Sequence, residues 1–388
     1  MNGRSSRRTD QGLLPRPIRP LGAVAILRMT AGVALAVAVS LPVSSGASIS
    51  SWTLVSSPSV GSTRSVLADV DILSSADAWA VGHSYDQTRE VNRGLAQHWD
   101  GTRWWIVPTP DTGTGYEEFS GIAAVGPKDV WAVGYTSDRF APQRLLIERW
   151  NGSRWRVTST PAFDNWAALE DVSVISSRDA WAVGNSYLGE VVLHWDGRRW
   201  NQVPSPNVGW LTAVHAASPT DVWIVGQRGA APGGSVYRTL LEHWDGTSWS
   251  VVPTPSTSAT FNILDGVGGR AGDVWAVGSA WDWEQPRTPL VLHGDGATWR
   301  IVPNADAVPS DAALSDVAVV SSTEVLAVGS AAGRTLVQRW NGSSWEVVPT
   351  PSPGTTDDLF GIEVAPSGTW AVGSTGNASE IRTLTLRK

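Results

Sequence analysis

Trp79-Ala80-Val81-Gly82 returns six more times, as Trp131-Ala132-Val133-Gly134, Trp181-Ala182-Val183-Gly184, Trp223-Ile224-Val225-Gly226, Trp275-Ala276-Val277-Gly278, Leu326-Ala327-Val328-Gly329 and Trp370-Ala371-Val372-Gly373. Successive copies stand 52, 50, 42, 52, 51 and 44 residues apart, the interval of propeller blades and solenoid units. Both faces of such a strand are apolar, so it must be covered on both sides. Outward from the first copy, four strand-length runs follow one another at 67–73, 78–82, 94–99 and 104–107. Between the last two stands Trp99-Asp100-Gly101-x-x-Trp104, repeated from Trp150, Trp195, Trp244, Gly294 and Trp340. An Asp-Gly or Asn-Gly pair supplies the positive φ angles of a short hairpin, so each unit reads as a four-stranded antiparallel meander.

Seven phrases meet only six hairpins. The seventh unit stops after its third run, at residues 383–388, and its missing strand stands at the other end of the chain. A Pro follows the closing Trp by six residues at Trp104 to Pro110, Trp155 to Pro161, Trp200 to Pro206, Trp249 to Pro255 and Trp345 to Pro351, and Trp52 to Pro58 keeps that spacing. Residues 51–57 are therefore expected to pair with the C-terminal strand and close a ring, which removes the exposed edges of an open array. The expected fold is all-β: a seven-bladed β-propeller of four-stranded antiparallel blades, closed three-plus-one.

A strand ending in Gly, a variable loop, a strand ending in Trp-Asp, a turn, and a closing Trp followed by Pro resemble the kelch repeat and the central propeller of the galactose oxidase family. The Asp-Gly-x-x-Trp turn is also similar to the Asp-box of sialidase-type propellers. The resemblance spans residues 51 to 388 and implies a propeller. It does not carry oxidase chemistry, because that family's copper site needs a cysteine-modified tyrosine and this chain has no cysteine.

Residues 1–47 read as a signal peptide. Six Arg between Arg4 and Arg28 precede an apolar run at 29–43, and Ser45-Gly46-Ala47 supplies small residues for cleavage. An uncleaved anchor, the one route to a membrane, is disfavoured because Arg28 leaves an apolar stretch shorter than the roughly 20 residues a spanning helix needs. The expected product is a secreted or extracytoplasmic monomer, residues 48–388. It carries 23 basic against 35 acidic residues, a net of −12, which argues against nucleic acid, whose affinity comes from phosphate neutralisation. Without cysteine there are no disulfides and no thiolate metal sites. No cofactor or metal is expected.

Of 23 Trp, all but Trp105, Trp166, Trp210, Trp281 and Trp283 occupy repeated positions and are assigned to blade packing. In a meander, the second-to-third-strand and blade-to-blade connections emerge on one face, and four of those five Trp fall there. Aromatics and acids mix on that face, and the candidate ligand-binding residues are Trp281, Trp283, Trp166, Trp210, Tyr237, Tyr85, Tyr135, Glu118 and Asp164. Rings beside carboxylates suit a glycan, although loop aromatics equally serve to staple their own loops.

Two further sets are weighed. Asp69, Asp171, Asp265 and Asp316 recur on the first strands and invite a cation site in the channel, against the plainer role of hydrogen-bonding backbone. His98, His194, His243 and His293 share a position with Arg149 and Arg339, which marks a polar strand position rather than a metal ligand. The leading function is non-catalytic recognition of a glycan or an extracellular or envelope protein. One alternative is a glycosidase, lyase or sialidase using Glu117 or Glu118 with Asp164 and arginines such as Arg89, Arg139, Arg238 and Arg287. A structural scaffold is the other.

Overall fold

The computed structural model describes residues 51–61, 64–113, 115–138, 141–230, 235–295 and 298–388. The leader read over residues 1–47, together with Arg139, Phe140 and Gly296, lies outside the described residues. From Ser50 onward the chain is one compact unit holding seven four-stranded antiparallel sheets. Blade one is typical. Its strands Ser65–Ser74, Asp77–Asp86, Val91–Trp99 and Trp104–Ile106 pair in sequence order from the channel outward. The last blade combines Thr356–Ala365, Gly368–Gly376 and Ile381–Arg387 with the N-terminal Thr53–Val55. Thr53 lies opposite Arg387 and Val55 opposite Thr385, and the Thr385 hydroxyl donates to the Val55 carbonyl at 2.6 Å. The predicted closure is what the structure shows.

The alternation in Trp-Ala-Val-Gly sets the packing. Trp79 and Val81 face blade two, in a cluster with Phe119, Ile122 and Trp155. Ala78 and Ala80 face the other way, toward Trp370 and Val372 of blade seven. Trp79 meets both hairpin tryptophans of the next blade, with ring centres 5.0 Å from Trp150 and 5.4 Å, edge-on, from Trp155. The same triad recurs for Trp131 on Trp195 and Trp200, Trp181 on Trp244 and Trp249, Trp275 on Trp340 and Trp345, and Trp370 on Trp99 and Trp104. Edge-to-face contacts of this kind add roughly 0.5–1.5 kcal/mol beyond buried area. The triad from blade seven to blade one completes the circle.

The phrase glycine has a physical reason. A Cβ at Gly82 would stand 2.2 Å from the Val66 carbonyl oxygen, and one at Gly184 2.1 Å from that of Ala168. The reason is a bulge in the first strand, where register shifts between Leu67 and Asp69 and between Leu169 and Asp171 push the backbone toward the second strand.

One expectation needs correction and another is extended. The hairpin turn takes a positive φ only at its glycine, 92° at Gly101 and 95° at Gly342. The preceding Asp or Asn instead caps the turn: Asp100 Oδ1 accepts from the amides of Thr102 and Arg103 at 2.8 and 2.9 Å. The shared His/Arg position also carries more than polarity. His98 stacks on Trp79 with centroids 4.3 Å apart while its Nε2 meets Asp77 at 2.8 Å. His194, His243 and His293 repeat this on Trp181, Trp223 and Trp275 with Asp179, Asp221 and Asp273. Arg149 substitutes a cation over the Trp131 ring, 4.5 Å from its centre, and pairs with Asp129.

Candidate functional site

The two faces of the ring differ in kind. On one, strands are joined by connections as short as residues 75–76 and the capped turn 100–103. On the other lie the blade-to-blade segments, such as 158–166, 203–209, 252–260 and 302–311, and the second-to-third-strand connections, such as 87–90 and 282–287. Most ring-bearing candidates stand at strand ends rather than in loops. Trp210 and Tyr237 begin strands, as does the neighbouring ring of Phe261, Trp281 ends one, and Tyr85 and Tyr135 lie within the last three residues of theirs. This follows from strands that run farther toward the face than their apolar runs.

The channel below is walled by carboxyls that tie blades together. Asp69 accepts from its neighbour Val70 at 2.7 Å and, across the junction, from Ile122 of blade two at 2.8 Å. Asp171 accepts from Val172 and from Val214 of blade four, and Asp316 from Val317 and from Ile362 of blade seven. The backbone role therefore holds, though the backbone belongs partly to the next blade. Asp265 does not belong to this set, because the bulge in its strand falls between Leu264 and Gly266 and aligns Gly266 with Asp69. The ring of equivalent positions runs Asp69, Gly121, Asp171, Ala213, Gly266, Asp316, Gly361. A small residue precedes each Asp because there is no room for another: a Cβ at Gly361 would lie 2.8 Å from Asp69 Cα, and one at Gly121 2.9 Å from Asp171 Cα. Burial, reinforced by the neighbouring ring charge, lifts Asp316 to about 7, and burial lifts Asp171 to about 6. With Asp71, Glu363 and His215 they line a cavity of about 360 Å³. Among the described residues no group of three or more such side chains is placed to hold a metal ion.

At the mouth of this channel, blades one to three present a connected polar group. Glu118 accepts from Asn92 Nδ2 at 2.6 Å and stands 3.8 Å from His83 Nδ1. The Tyr135 hydroxyl bonds to Glu118, and burial together with that carboxylate holds the phenol protonated well above its usual range. Burial likewise pushes Glu170 up to about 7, against the Asn185 hydrogen bond that lowers it and with the charges of Asp171 and Glu118 adding to the rise. Asn185 is fully buried and joins blade three to blade four by a reciprocal pair with Leu211, 2.8 Å in each direction. The sequence brought Glu118 and Tyr135 forward but not His83, Glu170 or Asn185. A signal was available: the residue after each phrase glycine is His83, Tyr135, Asn185, Gln227, Ser279, Ser330 and Ser374, irregular where everything before it repeats.

The other candidates divide into two aromatic groups. Trp166 and Trp210 pack together with centroids 5.4 Å apart, and the Tyr187 amide donates to the Trp166 carbonyl at 3.0 Å. Beside them Tyr187 and Leu188 are 56% and 74% exposed. On blades four and five, Tyr237, Phe261 and Trp281 form a parallel stack at 5.8 and 4.9 Å, with Trp283 edge-on to Phe261 at 4.7 Å. In this stack three rings staple their own strand ends, and Trp283 alone stands open at 62% exposure. Asp282 is engaged by the amide and hydroxyl of Thr260 at 2.8 and 2.6 Å. Asp164 is exposed, and Tyr85 is half-buried on blade one.

A buried carboxyl pair supports the Leu188 end. Glu190 accepts from Ser205 Oγ and from the amides of Asn207, Val208 and Gly209 at 2.6 to 2.8 Å, clamping segment 205–209. Glu242 of blade four, with no exposed surface, feels the charge of Glu190; burial and that neighbour lift it to about 8. Glu148 is raised to about 8 as well, by burial and by Glu117. Blades one and six place Gln97 and Gln338 at the corresponding position, both fully buried. A neutral side chain suits the site, which is what a protonated glutamate supplies.

The residues weighed for hydrolysis are placed otherwise. Glu117 is buried and accepts from the amide and hydroxyl of Thr112, with Arg93 3.5 Å away. Arg89 pairs with Asp86, Arg238 donates to the Ala259 carbonyl, and Arg287 pairs with Asp311, so these arginines stand on separate blades.

The geometry defines the class as a closed seven-bladed β-propeller. No family model matches the chain, and no curated protein matches it. Among solved structures it is similar to YCF48 bound to D1 peptide, with a TM-score of 0.56 and 14% identity over 87% of this chain and 96% of that one. It is also similar to the WD40 β-propeller domain of Doa1, with a TM-score of 0.55 and 11% identity over 88% of this chain and 98% of that one. At such identities the likeness is one of fold.

Proposed function

We propose that the protein is an exported, non-catalytic recognition propeller that binds a partner protein on its long-connection face. The carrying observation is the contrast in what repeats. The scaffold positions recur blade after blade, whereas His83, Glu118, Tyr135, Glu170 and the Trp166–Trp210 pair occur once each and converge on one face, and irregular side chains on a rigid frame are where binding function resides. The similar YCF48 structure was solved with a peptide bound, which supports a protein ligand. Export rests on the arginine-then-apolar order of residues 1–47. The order of motifs within a blade supports a place beside kelch-type propellers. A glycan is the second reading, favoured by the open Trp283 ring.

The test is a binding comparison on residues 48–388, using a displayed random-peptide library and a polysaccharide panel. Enrichment that disappears in Trp166→Ala/Leu188→Ser but survives changes on the short-turn face, such as Thr102→Ala, supports the protein reading. Polysaccharide binding abolished by Trp283→Ala replaces it with the glycan reading. Ligands retained equally by all variants overturn both.

A further inference from the structure

We propose that the face carrying Tyr187, Leu188 and Val208 at one end and Glu170 and Glu118 at the other docks an extended segment of the partner in which a lysine or arginine stands next to an apolar anchor. This rests on the recognition reading above and names the chemistry of its ligand. The two ends are joined through the structure beneath them. Tyr187 is tied to Trp166 through its amide, Trp166 packs on Trp210, and Asn207 Nδ2 donates to the Leu188 carbonyl at 3.4 Å. Buried Leu211, next to Trp210, is bonded to buried Asn185, Asn185 acts on the Glu170 carboxyl, and the Glu170 and Glu118 charges act on one another.

Its two ends ask for different things. At the apolar end Leu188, Tyr187 and Val208 are 74%, 56% and 43% exposed; Glu190 clamps segment 205–209, which carries Val208 and bonds the Leu188 carbonyl through Asn207, so a side chain docking there meets a preformed surface with little ordering to impose. At the acidic end Glu118 and Glu170 lie half-buried. Among the described residues neither is in an ion pair with a lysine or arginine, and His83, 3.8 Å from Glu118, is shifted toward its neutral form, chiefly by burial with the charge of Arg64 adding to the shift. The molecule supplies its own comparison on blade five. Asp265 occupies the bulge position equivalent to Glu170 and has the charge of Arg287 acting on it. Glu170 has the same backbone setting without that cation. A half-buried carboxyl pair in no ion pair with a lysine or arginine is complementary to a cationic side chain brought from outside, whose charge favours the ionised form of Glu170, and such complementarity fixes register as well as partner.

A library of random 12-residue peptides, displayed with both ends blocked, is selected on residues 48–388 and on Glu118→Gln/Glu170→Gln. Thermal unfolding of each variant checks that the fold is kept. The wild type is expected to enrich sequences with Lys or Arg beside Phe, Leu or Trp. The double variant is expected to bind those peptides about tenfold more weakly and to lose the basic preference. Leu188→Ser is expected to lose the apolar preference while keeping the basic one. Enrichment without a basic preference, or a preference unchanged in the double variant, overturns the proposal while leaving the recognition reading standing. If the wild type enriches nothing from the library, the proposal falls; the recognition reading falls with it only if the polysaccharide panel is also blank.

Discussion

The wall between blades and the mouth above it are built from the same seven strand pairs yet follow opposite rules. In the wall, Trp79, Trp131, Trp181, Trp275 and Trp370 meet the same hairpin partners at nearly the same distances. At the mouth, four residues farther along the strand, blades one to four present His83, Tyr135, Asn185 and Gln227, and Glu118, Asn185 and Trp210 each occur on one blade only. The difference teaches that repetition in this chain measures mechanical duty. Where seven blades must fit one another, one solution is copied; where nothing must fit a neighbouring blade, the side chains are free to fit something else.

The comparison is tested most severely at the closure. Deleting residues up to Ser56 removes Trp52, which is 4% exposed, together with the strand on Arg387. The expected loss exceeds the roughly 3–5 kcal/mol of a single buried Trp→Ala change, read as an earlier, less cooperative urea transition. An unchanged midpoint would mean that three strands suffice. Next comes Trp131→Ala, expected to cost about 3–5 kcal/mol through the cavity it leaves between blades two and three. Asp171→Ala strips the Val172 and Val214 amides of their shared acceptor and is expected to cost about 1–3 kcal/mol; an effect under about 0.5 kcal/mol would show the inter-blade bond to be incidental.

A smaller effect concerns protons. The folded state holds a proton on Glu242 up to about pH 8, whereas the unfolded chain releases it in the ordinary carboxylate range near 4.5. Across that window the native state binds more protons, so stability falls as pH rises and levels off above about 8. Glu242→Gln, which copies Gln97 and Gln338, is expected to flatten part of that slope while preserving stability at neutral pH. Denaturation midpoints at pH 5.5, 7 and 8.5 check this, and an undiminished slope would sink the protonated assignment. Smallest of all, Trp283→Ala and Leu188→Ser at the exposed mouth are expected to change stability by less than about 0.5 kcal/mol. A loss comparable to Trp131→Ala would erase the distinction between wall and mouth.

The blade was legible because each of its rules is local. The Gly after Trp-x-Val, the Asp-Gly turn and the six-residue step to Pro each recur within a single blade, and Trp52 to Pro58 exposed the closure by the same spacing. What escaped depends on the next blade. Asp265 looked equivalent to Asp69 until the bulge showed it to be one residue out of step. Glu242 reads as an ordinary polar strand residue in Leu-Leu-Glu-His-Trp, and only the covering loop of blade three makes it a buried acid. The rings on blades four and five were visible as a set, but their stacking, which leaves Trp283 alone open, is a tertiary fact.

The 334 residues that separate Thr53 from its partner Arg387 also set a schedule. The first strand to be made is the last to find its place, and at ordinary elongation rates it waits roughly 20 to 60 s for the C-terminal strand to appear. Throughout that interval the growing sheet stack ends in an unpaired edge, the feature most prone to join another chain. The ring is thus a device that withholds its final cooperativity until its last blade has been synthesised, and a nascent chain stalled before Ile381 is left open whatever the stability of its finished blades.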